Sequence, residues 1–285
     1  MYDAIRLKEF IRGATRLPVL PKVTVRLLNA LDSPESSPKD IAEIIQSEPT
    51  LTTMLLKLAN SSFYGQRGQI STVRNAVVVL GAKTIRSLAL AAWSHTLKSH
   101  ARNTAELVLM EPVLTHGLAS GVIARMLVER ADKNLSEDAF MAGLLHDIGR
   151  VALVGQMGEE YKLWILVPAQ QTQTPLHDME NKVLGFDHRA LGSALIQSWM
   201  LPPFLVDIVE HHHDTDISPD TQFIAATVAM ADYCATSFGY NLDLVTPRTQ
   251  PEAVAAFFGL RAPETLKEFL ELCQTKIMAT NAALA

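Results

Sequence analysis

The chain has 285 residues, of which 48% are hydrophobic and 19% are charged. This composition is typical of a folded protein with one large domain or two smaller ones, and it excludes a disordered or low-complexity chain. The formal net charge is -5, without a dense run of lysine and arginine. Binding to nucleic acid through neutralised phosphates is therefore not expected.

The two cysteines and the N-terminal segment indicate the cellular compartment in which the protein is expected. Cys234 and Cys273 have no CxxC spacing, so we expect buried thiols in a reducing environment rather than a disulfide. Charged residues interrupt the first ten positions, which excludes a signal-peptide core there. No uninterrupted apolar run approaches the roughly 20 residues that a membrane span needs. These features predict a cytoplasmic protein that does not associate with a membrane.

The N-terminal third shows helical periodicity that proline interrupts. Ser37 followed by Pro38 is a signal for a helix cap and a first turn. The next apolar residues lie on one helical face and are Ile41, Ile44 and Ile45. Pro49 begins a second helix. Its apolar stripe is Leu51, Met54, Leu55 and Leu58.

A loop and two joined helices are predicted next. Asn60–Gly68 is rich in glycine and serine and is predicted to be a loop. The apolar run Ala76–Leu80 resembles a buried strand, but Gly81 after it is a helix C-terminal signal. Thr84–Leu97 then continues at helical spacing, so both segments are predicted to be helical.

The second half of the chain is also predicted to be helical. A long apolar helix is predicted over Leu107–Leu127. Ser136, followed by two acidic residues, predicts the cap of another helix that runs to about Leu153. Further helices are predicted over residues 175–184, 188–199, 204–212, 222–238 and 263–278. No Asn-Gly or Asp-Gly hairpin turn is present, so the predicted fold class is all-α.

A polar junction at residues 99–104 is a weak compositional boundary. We predict an N-terminal helical subdomain over residues 1–100 and a second bundle that carries the histidines over residues 101–240. A C-terminal helical extension is predicted over residues 241–285.

Several histidines and aspartates stand inside apolar helices, where a polar side chain needs a partner. His146 and Asp147 lie in the apolar segment Phe140–Arg150, and burying an unpaired carboxylate is costly. His116 and Asp232 also lie within predicted apolar helices, His188 is predicted to open a helix, and His211 and His212 are predicted to close one. Imidazoles and carboxylates from several helices form a ligand set that suits iron, manganese, nickel or zinc. We therefore predict a site for one or two divalent metal ions.

The same residues could support phosphate hydrolysis, or they could be a metal-free polar core. Asp147 and Asp232 can hold one metal or bridge two, which would activate a water for phosphate hydrolysis. Arg150, one turn after His146, can contact a phosphate oxygen. Alternatively, these polar residues satisfy one another in the core without a metal. The remaining histidines are expected to be core or solvated residues, and they are His95, His100, His177 and His213.

Sequence elements in order along the chain resemble the HDOD domain. They include Leu17-Pro-Val-Leu-Pro21, Glu48-Pro-Thr-Leu51, Leu55-Leu-Lys-Leu-Ala-Asn-Ser61, Ala76-Val-Val-Val-Leu-Gly81, His146-Asp-Ile-Gly149, Phe186-Asp-His188, Trp199-Met-Leu-Pro202 and Ile208-Val-Glu-His-His212. The resemblance implies a multi-helix bundle of HD-domain type preceded by an N-terminal helical subdomain. It also implies metal ligands at His116, His146, Asp147, His188, His211 or His212, and Asp232.

The resemblance implies a role in bacterial signal transduction, because HDOD domains usually serve there as output or scaffold modules. The main hypothesis is a regulatory protein that acts through a signalling partner protein or a small phosphorylated ligand. The alternative is an active metal-dependent phosphohydrolase that acts on a nucleotide or phosphodiester. Related HD-GYP phosphodiesterases have a lysine in place of Arg150 and a GYP segment after their paired histidines. Here His213-Asp-Thr-Asp-Ile-Ser-Pro219 follows instead, so hydrolysis of cyclic di-GMP is not expected.

Overall fold

The computed structural model describes residues 2–64, 69–213, 223–240, 252–260 and 262–285. All regular secondary structure in these ranges is helical, which confirms the all-α prediction for this part of the chain. The helices are α1 (Ala4–Gly13), α2 (Lys22–Asp32), α3 (Pro38–Gln46), α4 (Pro49–Ala59), α5 (Val73–Thr96), α6 (Thr104–Val128), α7 (Ser136–Leu145), α8 (Ile148–Met157), α9 (Glu159–Tyr161), α10 (Val167–Thr172), α11 (Leu176–Leu184), α12 (His188–Ser198), α13 (Pro203–His211), α14 (Phe223–Ser237), α15 (Glu252–Phe257) and α16 (Pro263–Leu284). A π-helical turn at Lys162–Leu166 joins α9 to α10.

The chain divides into two compact units. The first, here called the histidine unit, comprises Met1–Pro18 and Lys98–Leu266. The second, here called the N-terminal unit, comprises Val19–Leu97 and Lys267–Ala285. Compact units are not proof of independently folding domains, so the division into domains at residues 100 and 240 stays a prediction.

The N-terminal unit is built from α2 to α5 and most of α16, and α3 to α5 follow the sequence signals closely. The Ser37 side chain caps α3, and the Asp40 carboxylate accepts the backbone N–H of Ser37 in return, which completes a capping box. Gly81 kinks α5 with a φ of 78° and a ψ of 168°, a conformation that glycine adopts readily. The predicted loop lies outside any helix over Asn60–Tyr64, and residues 65–68 lie outside the described residues.

Helix α6 is the central helix of the histidine unit, with α7 and α14 packed against it. Glycine permits the close approach of α6 and α7, because a Cβ atom at Gly143 would lie 2.7 Å from the Ser120 carbonyl oxygen. Helices α8 and α12 meet in the same way. A Cβ atom at Gly149 would overlap the backbone of His188 and lie 2.7 Å from the Gly192 nitrogen. These contacts bring the histidine-bearing helices together.

Two helical stretches, Val73–His100 and Thr104–Val128, are long and apolar enough to span a membrane by length and composition alone. Charged residues interrupt both stretches, so neither was predicted as a long uninterrupted apolar run. Of their most apolar windows, 56% and 67% respectively are buried inside the protein. Core helices of soluble proteins meet the same criterion, so these stretches are weak evidence for a membrane span.

The predicted single helix from Ser136 to about Leu153 is wrong, because the chain breaks at His146 and Asp147. Helix α7 ends at Leu145, and α8 begins at Ile148. Asp147 has a φ of -101° and a ψ of 16°, close to the sparsely populated bridge region where many active-site residues lie. Ser136 is the first residue of α7 rather than its cap, and its hydroxyl donates to the Lys133 carbonyl.

Helix α1 packs within the histidine unit next to the segment that precedes α12. The backbone N–H of Asp3 donates to the Gly185 carbonyl at 2.7 Å. The ring of Phe10 meets the ring of Phe186 edge-on, with 5.2 Å between the centroids. Phe186 is 1% exposed and lies two residues before His188. Helix α1 therefore buttresses the segment that leads to His188.

Candidate metal centre

The break between α7 and α8 presents two adjacent side chains to one buried site. The Nδ1 atom of His146 lies 2.7 Å from the Gly143 carbonyl oxygen. A carbonyl can only accept, so Nδ1 carries the proton and Nε2 presents its lone pair. That Nε2 atom is buried without a hydrogen-bond partner and lies 3.7 Å from an Asp147 carboxylate oxygen. Burial lowers the pKa of His146 to about 4, so its imidazole is neutral near pH 7.

The N-terminus of α12 places His188 beside Asp147. Asp187 caps this helix by accepting the backbone N–H groups of Arg189 and Ala190. The Nε2 atom of His188 then lies 3.2 Å from Asp147 Oδ1. Burial alone would lower the pKa of His188, but the neighbouring carboxylates of Glu180 and Asp147 outweigh it and raise the pKa to about 9.

Glu180 is a member of the site that the sequence argument missed. Its Oε2 accepts both the backbone N–H of His188 at 2.9 Å and the Nδ1–H of the same residue at 2.6 Å. Its Oε1 accepts the hydroxyl of Tyr161 at 2.6 Å. The side chains of Glu180 and Tyr161 are both fully buried. The available sequence signal is weak: Glu180 stands four residues after the buried Leu176, on the same face of α11.

The end of α13 separates the three consecutive histidines. His211 is the last helical residue, its side chain is 47% exposed, and it lies 3.9 Å from Asp207 rather than in the site. The Nδ1–H of His212 donates to the Val209 carbonyl at 2.9 Å, and its Nε2 lies 3.5 Å from Asp147 Oδ1. The ring of His213 follows, with its centroid 4.1 Å from that of His212.

His213 belongs to the cluster, in contrast to the expectation that it is an ordinary core or solvated residue. Its Nε2 atom is buried without a hydrogen-bond partner. Its ring stacks on that of His177, with 4.8 Å between the centroids. Burial lowers the pKa of His213 well below its usual value, so this imidazole is neutral.

His116 and Asp232 face each other across the contact between α6 and α14. The Nε2 atom of His116 lies 3.0 Å from Asp232 Oδ1. Its Nδ1–H donates to the Tyr240 carbonyl at 2.5 Å. The His116 ring lies 5.2 Å from the His146 ring, centroid to centroid. Both residues are therefore part of the same cluster.

Arg150 is also part of the buried cluster, with only 4% of its surface exposed. One amino group, Nη1, donates to Asp147 Oδ2 at 2.8 Å. The other, Nη2, lies 3.4 Å from His188 Nε2. This positive charge contributes to a pKa of Asp147 well below its usual value, against the opposing effect of burial. In this geometry the guanidinium is engaged with the carboxylate.

The donor atoms fit a divalent metal. Two groups of potential ligands share Asp147: one contains His116 and His146, and the other contains His188, His212 and His213. Within each group the donor atoms lie within 4.8 Å of one another. His146 Nε2, His212 Nε2, His213 Nε2 and Asp147 Oδ1 are buried without hydrogen-bond partners. Such atoms are costly to bury unless a ligand satisfies them.

The structure thus brings together most of the residues that were singled out from the sequence. The clustered ones are His116, His146, Asp147, Arg150, His188, His212 and Asp232. His211 lies outside this cluster, and His213 takes a place in it. Whether they bind metal stays a prediction.

Comparison with known proteins places the chain in a family. The HDOD domain model matches residues 17–215. A solved HDOD domain protein of unknown function from Geobacter sulfurreducens is 24% identical, with a TM-score of 0.75 over 98% of this chain and 96% of that one. A candidate metal-dependent phosphohydrolase from Shewanella amazonensis SB2B is 21% identical, with a TM-score of 0.75 over 99% and 96%. These likenesses show the shared fold.

Two further relatives are longer than this chain. An uncharacterized protein of Treponema pallidum is 24% identical over 269 residues, and the chain spans about half (51%) of its length. A candidate signal transduction protein from Marinobacter aquaeolei VT8 is 20% identical with a TM-score of 0.71, and 65% of its chain is covered. The family match extends over more than half of the present chain, and the chain therefore belongs to the HDOD domain family.

Proposed function

We propose that this protein is a regulatory HDOD protein of bacterial signal transduction that holds a divalent metal in its histidine unit. The observation that carries the metal proposal is the shared arrangement of its buried imidazoles. The Nδ1–H groups of His146 and His212 are bound by backbone carbonyls, and that of His188 is bound by Glu180. Hydrogen bonds of this kind fix the tautomer of a metal-binding histidine and direct Nε2 towards the metal. At His188, whose pKa is raised to about 9, a metal would have to displace the Nε2 proton.

This arrangement indicates which residues would bind a metal and which metals would suit them. The candidate ligands for one or two such ions are His116, His146, Asp147, His188, His212, His213 and Asp232. Imidazole and carboxylate donors suit iron, manganese, nickel or zinc.

The regulatory role is supported by the family and by the name of the Marinobacter aquaeolei relative, a candidate signal transduction protein. The protein would act in the cytoplasm through a partner protein or a small phosphorylated ligand. The net charge of -5 argues against nucleic acid as that partner.

A second candidate function is hydrolysis of a phosphoester. Two Shewanella amazonensis proteins of the same fold are named candidate phosphohydrolases. A bound divalent metal would supply an activated water and would screen phosphate charge. Arg150 would contact the phosphate only if its guanidinium turned away from Asp147, to which it now donates.

The decisive experiment is elemental mass spectrometry of the protein purified without a metal-affinity tag and reconstituted under reducing conditions. At least one equivalent of a transition metal is expected in the wild type. Asp147→Asn keeps the side-chain volume and removes the shared carboxylate, so metal content should fall several-fold. Asp207→Asn is the control, because that side chain is 70% exposed. A wild type without metal would contradict the proposal.

Turnover assays of the metal-loaded protein then distinguish between the two candidate functions. Turnover of nucleotides or phosphodiesters that is lost in Asp147→Asn and retained in Asp207→Asn would favour the phosphohydrolase. Metal binding without turnover across such a panel would favour the regulatory role.

A further inference from the structure

The N-terminal unit contains a cavity that has no part in the histidine cluster. Residues of α2, α4 and α5 and of the segments before α2 and α4 line it, and all of them lie within Val19–Leu97 of that unit. Its volume is about 220 Å³. Since a cavity of about 150 Å³ holds benzene, this one has room for a molecule of roughly nine non-hydrogen atoms.

The cavity has an apolar floor and a more polar rim. Leu51, Ala92 and Trp93 are 6%, 2% and 3% exposed and form the floor. Glu48 is half-buried and Thr50 is exposed, so these two residues lie at the rim. An apolar pocket with a few polar groups at its edge is typical of sites for small molecules.

Three hydrogen-bond donors at the cavity are already engaged within the protein. The indole N–H of Trp93 donates to the Val19 carbonyl at 3.2 Å, and the Thr96 hydroxyl donates to the Trp93 carbonyl at 2.7 Å. The backbone N–H of Thr50 donates to Glu48 Oε1 at 3.2 Å. An anionic ligand needs such donors, so this lining does not favour a phosphate or a carboxylate.

The charge at the cavity is negative. Glu48 is the one charged residue among the described residues that line it. Its carboxylate caps α4 through the single hydrogen bond to Thr50, and a carboxylate can accept several more. The lining therefore offers an acceptor with a negative charge and calls for a ligand that brings a donor with a positive charge.

We propose that this cavity binds a small organic cation, an ammonium compound with an apolar or aromatic body. The body packs on the floor formed by Leu51, Ala92 and Trp93, and the ammonium group pairs with the Glu48 carboxylate. Indole rings also attract organic cations, so Trp93 suits such a ligand. This site does not depend on the proposed metal, and its ligand differs in charge from the small phosphorylated ligand considered above.

The test is an NMR titration that follows the indole N–H signals of the full chain. The chain has three tryptophans, and Trp164→Phe and Trp199→Phe assign their signals and, by elimination, that of Trp93. The probe is 2-phenylethylammonium, which matches the cavity in size, and 2-phenylethanol is its uncharged counterpart. The ammonium should shift the Trp93 signal to saturation and leave the other two in place. The alcohol should bind roughly fivefold more weakly, because it cannot pair with a carboxylate as a cation does.

A substitution at the rim tests the role of the charge. Glu48→Gln keeps a carbonyl oxygen for the cap of α4 and removes the negative charge, so ammonium binding should weaken roughly fivefold and alcohol binding should not change. Glu43→Gln is the matched control, because that side chain is 62% exposed, pairs with Lys39 and does not line the cavity. It should leave both affinities unchanged.

The outcomes decide the inference without reference to the metal. A Trp93 signal that does not respond to the ammonium, or a response of Trp164 or Trp199 instead, would overturn the site. Equal affinities for the ammonium and the alcohol in the wild type would overturn its preference for a cation, and this comparison decides even if Glu48→Gln does not fold. An unchanged ammonium affinity in a folded Glu48→Gln variant would also contradict the proposal. Metal content is measured separately, so failure here leaves the proposed function intact.

Discussion

Replacing Gly149 by alanine tests the close packing that assembles the site. The added Cβ would overlap the His188 carbonyl oxygen and lie 2.7 Å from the Gly192 nitrogen. Both obstacles are backbone atoms, so no flexible side chain can move aside. Helices α8 and α12 would have to separate by roughly 1.5 Å to restore normal contact distances.

The magnitude of the effect follows from this overlap. Overpacking of a tight interior costs about 1–3 kcal/mol, and the backbone clash places Gly149→Ala at the upper end of that range. A loss of about 3 kcal/mol corresponds to a fall in Tm of roughly 5 °C for a chain of this size. Because the clash is with His188 itself, we also expect metal affinity to fall.

The assay is thermal unfolding followed by circular dichroism, combined with a metal titration of the same variant. Gly13→Ala is the matched control, because a Cβ there has nothing within 4 Å and Tm should change by less than about 1 °C. An unchanged Tm and unchanged metal affinity in Gly149→Ala would refute the close-packing argument.

Three other substitutions or treatments probe the site and its surroundings. Glu180→Gln removes the charge that binds His188 Nδ1, so metal affinity measured by calorimetry should fall about 10–100-fold, and an unchanged affinity would rule out this positioning role. His212→Ala should lose most bound metal, whereas His211→Ala should retain it, and equal losses would show that the site is assigned to the wrong histidines. Burial raises the pKa of Cys234 to about 12, so its thiol should resist a disulfide reagent at pH 8 until the protein is unfolded, and rapid labelling of the folded protein at Cys234 would contradict its burial.

Local signals predicted much of the fold because they act over a few residues. The cap at Ser37, the start at Pro49 and the interruption at Gly81 each depend on backbone geometry that those residue types favour. The break at His146 and Asp147 carries no such signal, since neither residue is proline or glycine and the flanking residues are apolar. Tertiary packing therefore decides that geometry.

The site was less predictable because helix ends and long-range partners decide it. The choice among His211, His212 and His213 depends on where α13 ends, and a shift of one residue turns a helical side chain by about 100°. Glu180 on α11 contacts His188 at the start of α12. The sequence shows only an acidic residue on a short helix, and this does not indicate which residue it contacts. Residue types thus indicated the chemistry, and the three-dimensional contacts selected the participants.

The extent of the family match has a consequence for how such a site can change in evolution. The matched segment, residues 17–215, leaves out α1, which buttresses the segment before His188, and α14, which carries Asp232. Substitutions in these flanks can alter the surroundings of the histidines without touching the segment by which the family is identified. Proteins with equally good family matches can therefore diverge in metal occupancy and activity through residues that lie outside the match.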